Sequence, residues 1–125
     1  MAIEIELSQA EQQFLSSVFL EVFEGGSTSA IQNVLGDQVE LARELRPELE
    51  KLVARKPKTL SLNKSQWRTV YESLNAVVFG LGEFELDTCT GFDLQQACNT
   101  NLKICVAVWG VYGGSQWISP KENTE

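Results

Sequence analysis

The stretch 88–106 reads TCTGFDLQQACNTNLKICV and holds all three cysteines of a 125-residue chain that contains no histidine. Cys89, Cys98 and Cys105 are the first residues to ask about chemistry. Zinc sites take four Cys or His ligands, usually with one pair two to four residues apart, and neither this count nor this spacing fits. No metal is expected. A thiol nucleophile ordinarily has a histidine as its base, so a Cys–His dyad is excluded. On a helix Cys98 and Cys105 share a face with Leu94, Leu102 and Trp109, which predicts burial, because free cysteine packs as a small apolar residue. Cys89 stands apart among Glu83, Glu85 and Asp87, where neighbouring carboxylates raise a thiol's pKa and blunt it.

Those carboxylates are the second set. Read as a strand, 83–90 alternates Phe84 and Leu86 with acids, which places Glu83, Glu85 and Asp87 on one face. Paired carboxylates can hydrolyse glycosides or hold a hard cation, but the chain carries no Asp-x-Asp-x-Asp-Gly loop. A solvated face is the plain reading. The sharper one is an acidic patch that meets a basic protein, with these three as the candidate partner-binding residues. No catalytic residue and no cofactor is expected.

Charge supports that reading and divides unevenly. The net charge is −7. Residues 1–42 carry seven acids and no base, 43–68 carry eight bases and three acids, and 69–125 carry seven acids and two bases. The basic island comprises Arg43, Arg46, Lys51, Arg55, Lys56, Lys58, Lys64 and Arg68, with only Trp67 interleaved. It shows no RNP, helix-turn-helix or OB signature, so nucleic acid is not an expected partner. Gly25-Gly26-Ser27 lacks the lysine and the spacing of a phosphate-cradling loop.

The elements that must position these residues announce themselves by their caps. Four pairs, Ser8/Glu11, Ser29/Gln32, Asn63/Gln66 and Asp93/Gln96, have the capping-box spacing, in which each side chain satisfies an orphan N–H at the other's position. Helix one (9–24) places Phe14, Leu15, Val18, Phe19, Val22 and Phe23 on one face. Helix three (64–79) repeats the logic with Trp67, Val70, Tyr71, Leu74, Val77 and Val78. Helix two (29–55) carries Leu35, Ala42, Leu45, Leu49 and Leu52 and is expected to kink or divide at Pro47, which lacks an N–H and clashes with the carbonyl four residues back. A last helix starts at Asp93, although Ile104, Val106 and Val108 would suit a strand equally. Ile3, Ile5 and Leu7 alternate with acids, and the strand they form is expected to pair with 83–90.

Segments 7–25 and 62–80 align without gaps at an offset of 55, matching Leu7 to Leu62, Ser8 to Asn63, Val22 to Val77 and Gly25 to Gly80. That is a duplication or two well-capped helices obeying the same rules; the second is the simpler expectation, because the period is long and unsupported elsewhere. Trp109, Tyr112, Trp117 and Ile118 are expected to close a small core, ahead of a polar tail (119–125).

The expected fold is α+β and mostly α: four or five amphipathic helices around one core, with a small two-stranded sheet, in a single domain (1–125). Glu4 and Glu6 stand where a secretory signal carries bases. The longest apolar run, 104–114, is far short of the roughly 20 residues that span a bilayer. No membrane contact is expected, and an odd cysteine count suits free thiols in a cytoplasmic protein. The expected function is a non-catalytic acidic binding or inhibitory module for a protein partner, expected to be basic. Two alternatives stand beside it: a small-molecule binder or small enzyme with a site between helices one and three, where Tyr71, Asn75 or Gln13 would converge, and a subunit of a homodimer or other structural homo-oligomer.

Overall fold

The computed structural model describes residues 2–112; for Glu83, Phe84 and 109–112 it describes the backbone alone. The element order is β1 (Ala2–Glu6), α1 (Gln9–Glu24), α2 (Thr28–Leu35), α3 (Gln38–Ala54), β2 (Thr59–Asn63), α4 (Lys64–Thr90) and α5 (Leu94–Tyr112). The α+β, mostly helical class is therefore the observed one. Trp117, Ile118 and the tail lie outside the described residues, as do the side chains of Trp109 and Tyr112.

Alternation builds the sheet. Ile3 and Ile5 of β1, and Leu60 and Leu62 of β2, turn inward while their neighbours face out. The strands run antiparallel, with Ile5 opposite Leu60 and Ile3 opposite Leu62. The indole N–H of Trp67, buried beneath them, donates to the Ile3 carbonyl at 2.9 Å. The partner of β1 is thus 59–63 and not 83–90, which is helical. Period-two alternation over five residues occurs in both segments, and it cannot distinguish a strand from one exposed and one buried side of a short helix. In 83–90 the helix buries Leu86 and exposes Glu85 and Asp87.

Three of the four capping boxes are made. Ser8 with Glu11, Asn63 with Gln66 and Asp93 with Gln96 each exchange both hydrogen bonds at 2.8–3.1 Å. Ser29/Gln32 is not made, because α2 begins two residues earlier, with Ser27 at the cap position, and the Gln32 amide donates instead to the Val22 carbonyl at 2.9 Å. The expected long second helix divides at Gly36, not at Pro47. Gly36 has φ 58°, a conformation open to glycine and costly for residues with a Cβ. Pro47 lies inside α3 on its exposed side. Gly82, with φ 78° and ψ 169°, likewise breaks α4 into runs 64–81 and 83–90. The core lies where α1 and α4 face each other under the sheet, lined by Phe14, Leu15, Val18, Phe19, Trp67, Val70 and Leu74. The strand, helix, short helix, longer helix order consequently occurs twice, once in each half.

Candidate functional site

α5 closes the second half as α3 closes the first, and the two helices bury corresponding residues. Ala97, Thr100, Ile104 and Val108 of α5 are buried, as are Ala42, Leu45, Leu49 and Val53 of α3. Their outward faces differ. α3 carries seven charged residues among seventeen, whereas α5 carries one, Lys103, among nineteen. At positions 39, 43, 47 and 51 α3 has Val, Arg, Pro and Lys; 55 residues on, α5 has Leu94, Cys98, Leu102 and Val106. Leu102 is 61% and Val106 58% exposed.

Leu102 and Val106 of this face, but not Leu94 or Cys98, line one wall of a groove of about 1250 Å³, whose other wall is the stretch from Ile5 to Gln9. Leu102, Val106 and Ala107 face it from the helix, and Ile5 and Leu7 from the strand side. Lys56 and Lys58, from the turn between α3 and β2, stand exposed on its rim with Glu6. A smaller cavity of about 150 Å³ lies between α3 and the start of α4, lined by Glu44, Glu48 and Gln66 together with Leu41, Leu45 and Thr69.

Glu11 anchors the groove. One carboxylate oxygen accepts from the Ser8 N–H at 2.9 Å and from Lys103 Nζ at 2.8 Å, so the same side chain caps α1 and ties it to α5. Burial pushes the Glu11 carboxyl up, but the Lys103 ammonium and the Ser8 hydrogen bonds outweigh it, and its pKa lies below the ordinary value. Gln12 donates to the Leu7 and Pro57 carbonyls at 3.0 and 2.6 Å and fixes the turn that carries Lys56 and Lys58.

The residues singled out from sequence are scattered by comparison. Glu85 and Asp87 are exposed, but two helical residues point some 200° apart, so they do not make one face. The strand stripe of three carboxylates is therefore not formed. Glu21 is buried near Glu85, and both act on Cys89, whose thiol is pushed up first by burial and then by these charges. Cys98 is exposed, and Cys105 is partly buried, which raises its pKa. The expected burial of Cys98 fails because Ala97, Thr100, Ile104 and Val108 take the inward side of α5, which leaves Cys98 on the outward one. The basic island also divides: Arg46 pairs with Glu24 and Glu50 and lies over the Phe23 ring with Arg43, while Lys56 and Lys58 reach the groove. Gln13 and Asn75 are exposed, and Asn75 accepts from Asn101 at 3.1 Å; with Tyr71 they do not converge on either cavity. Among the described residues, no group of three or more acids and cysteines is placed to hold a metal, and no helix is long and apolar enough to cross a membrane.

Sequence reasoning missed the groove. Its signal was the single charge in nineteen residues of α5, which is too few for a helix with a solvated side. Comparison with known protein families, curated proteins and solved structures returned no match.

Proposed function

We propose that the chain is a non-catalytic binding module that takes an apolar segment of a protein partner into the groove between β1 and α5. The observation that carries this reading is the run of Leu94, Cys98, Leu102 and Val106 along the outward side of α5. Single exposed apolar residues are ordinary, but a contiguous patch beside a concave wall is the character of an interface. The matched face of α3 supports the point, since the same packing is achieved there with charged residues outside. Fold stability does not require α5 to be apolar on that side.

A photo-cross-linking amino acid placed at 102 or 106 tests this in the native lysate, with positions 47 and 51 on α3 as the matched control. A discrete adduct from α5 that is missing from α3, and that is lost when Val106→Glu is added to the chain probed at 102, supports the reading. Equal adducts from both helices, or none from α5, overturn it.

A second reading keeps a basic partner at the acidic end of α4. Exposed Glu85 and Asp87 favour it. Glu83→Gln, Glu85→Gln and Asp87→Asn together should then weaken capture of a basic protein most at low salt, where screening is least, and leave the thermal midpoint unmoved. A partner indifferent to the triple change removes this reading and leaves the groove.

A further inference from the structure

We infer that 2–55 and 57–110 are two copies of one strand–helix–helix–helix unit, packed on each other about a local twofold axis through the Ile5–Leu60 pair.

The strand pair accommodates such an axis. An antiparallel pair has a local twofold axis, and for an offset of 55 it passes through Ile5 and Leu60, which face each other. The weight of the inference rests on what lies outside the strands.

The offset then holds through the rest of the chain. α2 (Thr28–Leu35) corresponds to run 83–90, and Gly36 after the first corresponds to Gly91 after the second, with φ 58° and 81°. Ser8 and Asn63 cap α1 and α4 with the same box. Of the seventeen buried residues in 2–55, fourteen have a buried residue 55 positions later, including Ile31 with Leu86 and Leu49 with Ile104. The six identical pairs in this alignment are Leu7/Leu62, Val22/Val77, Gly25/Gly80, Gly36/Gly91, Ala42/Ala97 and Val53/Val108, all core residues or glycines. Contacts between the halves recur as well. Glu11 of the first half binds Lys103 of the second at 2.8 Å, and the counterparts Gln66 and Glu48 bind each other at 3.1 Å.

The inference is independent of the proposed binding role and needs only the full chain to test. Segments 28–36 and 83–91 are exchanged reciprocally, which leaves composition unchanged. The exchanged chain should keep the helical circular dichroism of the parent and unfold cooperatively, with a midpoint lowered by about 10 °C or less. A control exchange of 28–36 with 84–92, which displaces the buried residues by one position, should not fold. A control that folds as well as the in-register chain, or better, overturns the proposal. Should neither fold, a charge transplant decides: Gln66→Glu with Glu48→Lys should show a coupling of the same sign as Glu11 with Lys103 and within threefold of it in equilibrium constant, and absence of coupling overturns the proposal.

Discussion

Glu11 and its counterpart Gln66 do the same capping work with different charge, and the comparison isolates what the carboxylate adds. Glu11→Gln keeps the box geometry that Gln66 uses and removes only the ion pair to Lys103. We expect a loss of about 1 kcal/mol at pH 7, the scale of a partly exposed pair. The folded pKa lies below the ordinary 4.5, so the contribution is complete above that value and is lost as pH falls through the folded pKa. Thermal midpoints of parent and variant should therefore converge below pH 4.5; a constant gap across the range would show that the pair is not its source. The thiols give a second expectation at this scale. Native labelling should modify Cys98 fastest, Cys89 more slowly because its pKa is raised, and Cys105 last, since it is partly covered. Mass spectrometry of timed samples reads the order.

Helices were legible where the cap chemistry and the apolar period agreed, and misplaced where a backbone conformation decided. The boundaries of α1 followed from Ser8/Glu11 and Gly25, and α4 began where Asn63/Gln66 put it. The division of 29–55 went to Gly36 because a residue at φ 58° ends a helix outright, whereas a proline on the exposed side leaves the rest of the helix intact. The two positions should respond in opposite directions. Gly36→Ala should cost about 1–3 kcal/mol, since a Cβ there is strained. Pro47→Ala should stabilise by up to about 3 kcal/mol, because it restores an N–H to the interior of α3. Denaturant midpoints of the two variants check this, and a loss at Pro47 would mean that the proline shapes a needed bend. The strand partner of β1 was misread for a different reason: alternation occurs at both 59–63 and 83–90, and the pattern itself does not mark the second as helical.

At the scale of the molecule, the outward face of α5 borders an apolar groove, whereas the matched positions of α3 carry Arg43 and Lys51. A partner that uses this face should bind one per chain. Leu102→Glu should abolish that binding while shifting the thermal midpoint little, because the side chain is exposed; calorimetry with the cross-linked partner reads stoichiometry and loss together, and two sites per chain would contradict the assignment. The amino-acid sequence by itself determined the class of fold, the capped helices, the inward faces of α1 and α4 and the exclusion of cysteine–histidine chemistry, since each depends on neighbours within a few residues. Tertiary structure alone decided the strand partner, the outward turn of Cys98 and Leu102, the dispersal of Glu83, Glu85 and Asp87 along a helix, and the meeting of Lys56 and Lys58 with α5. These depend on contacts between residues 40 to 100 positions apart, and which of several apolar faces a helix turns inward is set by the volume its neighbours leave. On α5 Ala97, Thr100, Ile104 and Val108 take that space, and Leu102 and Val106 are left facing the groove.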